Sequence, residues 1–264
     1  MIGRTAQPIQ FDSVADIYDA YVRADFDIPF WLSEARSIGG KVLELACGTG
    51  RVSIPLLKSG VSLFCVDYAP RMLDRLRTKL EENHLSCPVI CQDIAELTLA
   101  DRFDLIFIPF HSFSEILQEQ RRRSALERIR NHLTPQGTFI CTLQNPRIHA
   151  SSMDGSARPV GEFPMENGDT LVVSSRLQFD PSSQLASGSQ TYDRFDSARV
   201  LIDHRSLDVS FYLFRKHEFE ALAESTGFEV AGLFGDYDHT SFDEQVSRFM
   251  IWKLKPRVTD SPSR

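Results

Sequence analysis

The chain has 264 residues with a formal net charge of −7, and 42% of them are hydrophobic. This length suits one large domain with an inserted subdomain, and the acidic balance argues against a surface that binds nucleic-acid phosphates. No apolar run reaches the roughly 18 residues of a membrane span, and the first residues lack the apolar core of a signal peptide, so we expect a cytoplasmic protein.

Between residues 41 and 143, short apolar runs alternate with helical patterns. The apolar runs predict strands at 41–46, 61–66, 87–92, 103–108 and 138–143. The helical patterns lie at 51–60, 69–84 and 119–133, each ended by glycine, proline or a polar turn. Strands this apolar, separated by helices, predict a doubly wound parallel sheet with both faces covered. Ligands of such sheets bind beyond the carboxyl ends of the strands.

The pattern changes after residue 144. Residues 145–168 are rich in Gly, Ser and Pro and predict a loop. Three segments then alternate as antiparallel strands do: TLVVSSRLQFD, QTYDRFD and LDVSFYLF. We expect them to form an inserted cap over the ligand-binding edge. A final helix at 217–228, strands at 229–238 and 248–255 and a disordered end, VTDSPSR, complete the chain.

The stretch VLELACGTG at 42–50 ends a buried strand with two glycines one residue apart. Gly48 and Gly50 allow a ligand to approach the backbone closely, because glycine has no side chain. Dinucleotide dehydrogenases share this signal, although Ser53 stands where their third glycine would be. The glycines alone therefore leave the ligand open.

Acidic residues mark three neighbouring strands of the predicted sheet. Glu44 lies within the first strand, and Asp67 and Asp93 end the second and third. Because the carboxyl ends of parallel strands share one edge, we expect all three carboxylates around one crevice. Either aspartate could instead cap the helix or turn that follows it.

A crevice lined by carboxylates disfavours an anionic pyrophosphate and suits a ligand with cationic and hydroxyl groups. S-adenosyl-L-methionine carries an ammonium, a sulfonium, a ribose diol and an adenine amine, and S-adenosyl-L-homocysteine is its demethylated product. We expect Glu44 to hold the methionine end through the loop, Asp67 to accept from the ribose hydroxyls and Asp93 to accept from the adenine amine. Met72 and Ile94 would sandwich the adenine, although Met72 also fits a plain core stripe.

Five segments together resemble class I S-adenosylmethionine-dependent methyltransferases over about residues 10–144: VLELACGTG, VDYAPRML, CQDIAE, FDLIFIPFHSF and LERIRNHLTPQG. The segment LFRKHEFEALAESTGFEVAGLFGDYD resembles their small-molecule branch, which includes bacterial sugar-amine and heterocycle N-methyltransferases. Ala46 departs from the family, whose loop usually has glycine there, and alanine is tolerable unless a positive φ is required.

The resemblance implies an α/β fold with a Rossmann-like, mostly parallel seven-stranded sheet, an inserted antiparallel β cap and an N-terminal helical lid. We place the lid at 1–38, the cofactor-binding domain at 39–145 and 211–257, the cap at 146–210 and the tail at 258–264. It also implies cofactor contacts at further positions, namely Tyr18, Ala46, Gly48, Gly50, Tyr68, Pro109 and Phe110.

Candidate catalytic residues lie in two segments. IPFHSF at 108–113 brings His111 to the reaction edge, where it either accepts a proton near neutral pH or lines the pocket. FDSVADIYDAYV places an aromatic and aliphatic stripe, ending in Tyr18 and Tyr21, on one helical face. Tyr18 then contacts the cofactor or the substrate, or the stripe is simply buried on the core.

Substrate contacts are expected mainly from the cap. The candidates are Tyr21, His111, Phe113, Tyr192, Arg194, Tyr212 and Arg215. Arg194 and Arg215 fit ion-paired surface positions equally well. We find no second acidic cluster that would hold magnesium, so no metal is expected.

These patterns favour methyl transfer to a small, aromatic or heterocyclic acceptor in secondary metabolism, with nitrogen preferred over oxygen on resemblance alone. The alternatives are an NAD-dependent oxidoreductase and a non-catalytic cofactor-binding subunit. We expect a monomer or homodimer that binds neither nucleic acid nor membrane.

Overall fold

The computed structural model describes residues 8–257, and the expected tail at 258–264 lies outside them. Eleven strands form two sheets within that range. In chain order they are β1 Lys41–Leu45, β2 Ser62–Asp67, β3 Val89–Cys91, β4 Phe103–Ile108, β5 Leu133–Gln144, β6 Asp154–Pro164, β7 Thr170–Asp180, β8 Leu185–Phe195, β9 Leu201–Tyr212, β10 Phe228–Phe234 and β11 Phe249–Pro256. The α-helices are α1 Tyr18–Tyr21, α2 Ile28–Ile38, α3 Ser53–Lys58, α4 Pro70–Glu82, α5 Glu119–His132, α6 Pro146–His149 and α7 Lys216–Ser225.

The larger sheet has seven strands in the order β10-β11-β5-β4-β1-β2-β3. All pairings from β5 to β3 are parallel, whereas β11 pairs antiparallel with both of its neighbours. The strand order reverses between β1 and β4, which is where a doubly wound sheet opens a crevice. The predicted α/β class with a mostly parallel seven-stranded sheet is confirmed.

Helices cover both faces of this sheet, as the continuous apolar strands require. One face of β1, with Leu43 and Leu45, packs against α5 and α7 in a cluster that includes Leu126 and Phe219. The opposite face, with Val42, packs against α2, α3 and α4. Side chains alternate along a strand, so Glu44 shares the face of Val42 and points into the second layer.

The smaller sheet is a four-stranded antiparallel meander in the order β6-β7-β8-β9, which we call the cap sheet. Residues 8–24, which we call the N-terminal segment, pack their apolar side chains on one face of it. Ile9, Val14 and Ile17 are buried there against Leu171 and Leu207. The N-terminal segment therefore lies between the cap sheet and the larger sheet.

Three local predictions differ from the structure. Residues 154–164, expected within a loop, form the edge strand β6. The N-terminal segment contains a 3₁₀ turn at Phe11–Ser13 and the four-residue α1 rather than one continuous helix. Strand β5 begins at Leu133, before the expected stop at 135–137, and a register shift in its pairing with β4 accommodates the proline and glycine there.

Among residues 8–257, no helix is both long enough and apolar enough to cross a membrane.

Candidate active site

A cavity of about 430 Å³ lies between the carboxyl ends of the larger sheet, the N-terminal segment and the cap sheet. We call it the main cavity. A narrower slot of about 70 Å³ continues from it toward the end of β3. Both are lined by Ile9, Ala46, Asp67, Tyr68, Ser112 and Glu115. This shared wall makes them two parts of one site.

Asp67 ends β2 and holds the glycine loop in place. Its Oδ2 accepts a hydrogen bond from the Gly48 amide at 2.8 Å, and its Oδ1 accepts one from the Ala69 amide at 2.8 Å. The side chain is buried, and this burial raises its pKa despite the backbone hydrogen bonds that stabilise the carboxylate. Each oxygen has a further lone pair, so Asp67 can accept hydrogen bonds from a ligand in either cavity.

Glu44 does not line either cavity, which corrects the expectation of three carboxylates around one crevice. Strand alternation directs its side chain into the helical layer, where the Ser53 hydroxyl donates to Oε2 at 2.6 Å. Burial raises the pKa of Glu44 to about 8. Through this hydrogen bond, Glu44 supports the segment that follows the glycine loop without facing either cavity.

Asp93 lines the slot together with Ile94, but its carboxylate also has protein partners. Oδ1 caps the following turn by accepting from the Ala95 amide at 2.8 Å, and Oδ2 pairs with Nη2 of Arg121 at 2.6 Å. Asp93 therefore caps the turn, as one of the two alternatives expected, and it also borders the slot where the other alternative, a contact to the adenine amine, would be made.

The backbone is strained where it borders the main cavity. Ala46 has φ 55°, and Phe110 and His111 have φ 57° and 67°, all in the left-handed region that disfavours residues with a Cβ. Ala46 thus has the positive φ that makes the family's usual glycine the easier residue. Such strain persists only where surrounding structure fixes it, and it is concentrated at functional sites.

His111 is held by aromatic neighbours and the backbone. Its ring lies near those of Phe110 and Phe249, with centroids 6.2 and 5.5 Å away. It donates a hydrogen bond to the backbone of Thr142, while Nδ1 is buried with no partner. Burial lowers its pKa to about 3. The expected proton acceptor near neutral pH is therefore a neutral imidazole with one free acceptor atom.

Tyr18 and Tyr21 enter the main cavity from the N-terminal segment, with ring centroids 5.4 Å apart. The hydroxyl of Tyr21 bonds to that of Tyr192 at 3.0 Å, and Tyr192 donates to Oε1 of Gln190 at 2.8 Å. Burial raises the pKa of Tyr18, so its hydroxyl stays protonated at neutral pH.

Most of the predicted cofactor positions border the two cavities. The predicted site residues that line at least one of them are Tyr18, Tyr21, Ala46, Gly48, Asp67, Tyr68, Met72, Asp93, Ile94, Phe110 and His111. Those outside both are Glu44, Gly50, Pro109, Phe113, Tyr192, Arg194, Tyr212 and Arg215. The structure therefore assembles the loop and strand ends but few of the proposed substrate residues.

The residues outside the cavities have other partners. Phe113 is buried against Phe214 and Phe219. Tyr192 is 1% exposed, and it contacts Tyr21 through its ring, with centroids 5.2 Å apart, and through its hydroxyl. The remaining pairs are Arg194 with Asp169 at 3.7 Å, Arg215 with Glu218 at 3.5 Å, and the Tyr212 ring with the Arg122 guanidinium at 4.0 Å. Gly50 lies over Leu76, and Pro109 is buried behind the turn that follows β4.

Several cavity residues were missed. Gln144 ends β5, and its Oε1 is buried with no partner. Glu115 ends a 3₁₀ turn after β4 and lines both cavities. A polar residue closing an apolar strand was the signal for Gln144, as it was for Asp67. The cap sheet contributes Val160, Ser175, Leu177, Gln190, Val209 and Phe211.

Residues 42–137 match a family model described as a methyltransferase domain. The chain carries a methyltransferase domain. The match begins in β1 and ends within β5, so it contains the glycine loop, Asp67, Asp93 and the turn after β4.

Proteins that resemble most of the chain are also described as methyltransferases. The cypemycin N-terminal methyltransferase of a Streptomyces species is 26% identical over 245 residues, covering 88% of this chain and 92% of its own. The CcbJ methyltransferase of Streptomyces caelestis superposes with a TM-score of 0.76 at 23% identity, covering 93% and 96%. The sugar N-methyltransferase KedS8 of Streptoalloteichus gives 0.74 at 20% identity, covering 98% and 97%.

At these identities the solved structures establish the shared fold. Together with the family match, they confirm the predicted resemblance to class I S-adenosylmethionine-dependent methyltransferases and the predicted enzyme class.

Proposed function

We propose that the protein transfers the methyl group of S-adenosylmethionine to a nitrogen atom of a small, flat or largely apolar acceptor in secondary metabolism. The observation that carries the proposal is the continuous site itself. A carboxylate-bearing slot at the strand ends opens into a larger cavity that the cap sheet covers. Slot and cavity provide adjoining places for a nucleoside and for a second molecule.

The residues of the slot fit the chemistry of this cofactor. The Asp67 oxygens have lone pairs for ribose hydroxyls, and Asp93 lies beside the apolar side chain of Ile94, as an adenine amine and ring require. A Cβ built on Gly48 would have only the Met72 methyl within 4 Å, at 3.5 Å, so the loop backbone is open toward the cavity. The methionine end of the cofactor is assigned to this loop.

The cofactor supplies an activated methyl group on a sulfonium. The protein then has to align the acceptor and exclude water. The cap sheet and the N-terminal segment cover the site, and Leu177, Val209 and Phe211 give the main cavity an apolar wall that suits a flat acceptor. His111 and Gln144 add uncharged polar side chains to the lining of the same cavity.

Support for nitrogen as the methylated atom comes from two similar proteins, which are an N-terminal methyltransferase and a sugar N-methyltransferase.

Calorimetric titration with S-adenosylhomocysteine and with NADH tests the proposal. We expect the first to bind and the second not to, and we expect Asp67→Ala to weaken binding of the first by at least ~2 kcal/mol, because ribose hydroxyls lose a charged partner. Asp74→Ala is the matched control, since Asp74 lies on α4 outside both cavities and is paired with Arg77.

Asp67 also holds the Gly48 and Ala69 amides, so circular dichroism must first show that the variant is folded. An unchanged dissociation constant in folded Asp67→Ala, or preferential binding of NADH, would reject the proposed function.

A further inference from the structure

Glu115 is a carboxylate at the junction of the slot and the main cavity. It ends the 3₁₀ turn Ser112–Glu115 that follows the strained residues at the end of β4, and it borders both cavities. Among residues 8–257 we find no hydrogen-bond or ion-pair partner for its side-chain oxygens. Asp67 and Asp93 differ in this respect, because both accept backbone hydrogen bonds. The cavity therefore contains an acid whose partner is not part of the described chain.

The groups facing Glu115 do not provide a cation. Asp67 faces it from the end of β2, and the hydroxyls of Tyr18 and Tyr68 face it from α1 and from the turn after β2. Burial and the nearby Asp67 charge raise the pKa of Glu115 to about 8. A positive group brought to an acid in such a place stabilises its carboxylate form.

The nearby cationic side chains are engaged elsewhere. Arg121 pairs with Asp93 and Glu96. Arg51 pairs with the buried carboxylate of Asp27. The guanidinium of Arg23, which borders the main cavity, donates to the Pro164 carbonyl at 2.9 Å. Within residues 8–257 none of these cations pairs with Glu115, and we therefore consider a ligand as its partner.

The remaining polar groups of the main cavity favour an acceptor over the cofactor as that ligand. Ser175, Gln190 and Gln144 carry no charge, and His111 is neutral because burial lowers its pKa. A cationic acceptor that enters beneath the cap sheet thus finds Glu115 as the carboxylate not already bound to the backbone.

We propose that Glu115 binds the ammonium group of the methyl acceptor, which makes the acceptor a basic primary or secondary amine on a flat or apolar skeleton. This inference rests on the proposed function, because it places the amine beside the cofactor-binding slot. Glu115 is thereby the residue that selects an amine over a phenol or an alcohol.

Binding of the amine is coupled to proton release. In the ligand-free site the raised pKa keeps Glu115 largely protonated at pH 7, and an ammonium group beside it lowers that pKa. A proton therefore leaves the site on binding, so the calorimetric enthalpy at pH 7 depends on the ionisation enthalpy of the buffer.

The experiment compares amines with matched alcohols on protein saturated with S-adenosylhomocysteine. The probes are benzylamine, phenethylamine and tyramine against benzyl alcohol, 2-phenylethanol and tyrosol. We expect the amines to bind at least about tenfold more tightly to the wild type, with proton release, as a charge-assisted hydrogen bond implies. Glu115→Gln should remove both the preference and the proton release, and Glu115→Asp should retain part of each.

Glu119→Gln is the matched control, because Glu119 is an exposed carboxylate four residues further on that borders neither cavity. It should behave as the wild type does. Glu115→Gln should bind S-adenosylhomocysteine within about twofold of the wild type, which also shows that it is folded.

Each remaining outcome overturns the inference. No amine preference in the wild type, a preference that survives in Glu115→Gln, or a loss of S-adenosylhomocysteine affinity in that variant would each remove Glu115 as an amine site. Failure of the wild type to bind S-adenosylhomocysteine would instead reject the proposed function on which the inference rests.

Discussion

At the scale of single residues, the site is built from strained backbone and buried acids. Seven non-glycine residues among 8–257 have a positive φ, and three of them, Ala46, Phe110 and His111, border the main cavity. Glu44 and Glu115 both have a pKa raised to about 8 by burial. These features cost stability locally, and surrounding packing maintains them.

Replacing Ala46 with glycine should stabilise the protein. The left-handed conformation costs a residue with a Cβ roughly 1–2 kcal/mol, and glycine removes this cost. Glycine also loses more conformational entropy on folding, which takes back roughly 0.5–1 kcal/mol of that stabilisation. We expect Ala46→Gly to raise the free energy of unfolding in urea by about 0.5 kcal/mol. Ala69→Gly, where φ is −93°, should lower it instead. A less stable Ala46→Gly protein would contradict this account.

Glu44 should make stability depend on pH in a defined direction. Its ordinary pKa of 4.5 is raised to about 8 by burial, so between these values the folded state binds a proton that the unfolded state has lost. The contribution of Glu44 to the free energy of unfolding is therefore largest at low pH and declines as the pH rises toward 8. Between pH 6.5 and 7.5 we expect the wild type to lose about 1 kcal/mol more than Glu44→Gln.

Urea unfolding at both pH values measures this difference, and any contribution from Glu115 cancels because both proteins contain it. Glu229→Gln, which changes an exposed carboxylate on β10, should show the wild-type slope. Equal slopes for wild type and Glu44→Gln would show that Glu44 does not titrate in this range.

At the scale of elements, the N-terminal segment joins the cap sheet to the larger sheet. Arg205 on β9 forms two hydrogen bonds to Asp16, at 2.6 and 2.9 Å. On the other side, Thr49 of the glycine loop and Lys79 of α4 both bond to Asp19. The segment thus contacts both walls of the main cavity, and access to the site depends on how firmly it is held.

Arg205→Ala should loosen the N-terminal segment without unfolding the larger sheet. The pair with Asp16 is partly exposed, so we expect it to stabilise the closed position of the segment by only about 1 kcal/mol. Because local opening governs exchange, amide hydrogens of residues 9–22 should exchange roughly fivefold faster in Arg205→Ala than in the wild type. Arg199→Ala removes a more exposed pair with Glu162 and should leave that exchange unchanged. Unaltered exchange in Arg205→Ala would show that the apolar contacts with the cap sheet, and not this ion pair, hold the N-terminal segment.

At the scale of the whole molecule, three parts distant in sequence enclose one site. A ligand held by all three should stabilise the protein as a unit. At a hundred times its dissociation constant, S-adenosylhomocysteine should add about 2.7 kcal/mol. For a chain of this size that shifts the melting temperature by about 5–10 °C. Thermal denaturation with and without ligand measures the shift, and folded Asp67→Ala at the same ligand concentration should show a smaller one.

Much of the larger sheet and of its ligand-binding edge was predictable because the signals are local. An apolar run, a glycine turn and a terminal aspartate lie next to one another in the chain, so Gly48, Asp67 and Asp93 could be placed at strand ends without knowing the packing. The strand β6 was not predictable in this way. Its glycines and prolines indicate a loop, yet β6 pairs only with β7, and an edge strand tolerates residues that lack an amide donor.

The sequence by itself determined the fold class, the glycine loop and the acids at two strand ends, since each depends on contacts between near neighbours in the chain. Tertiary structure decided which side chains face the cavity. It turned Glu44 into the helical layer, buried Phe113, paired Arg194 with Asp169 and brought Glu115 and Gln144 to the site. Those outcomes depend on which faces of distant elements pack together, and no local pattern of residues specifies that choice.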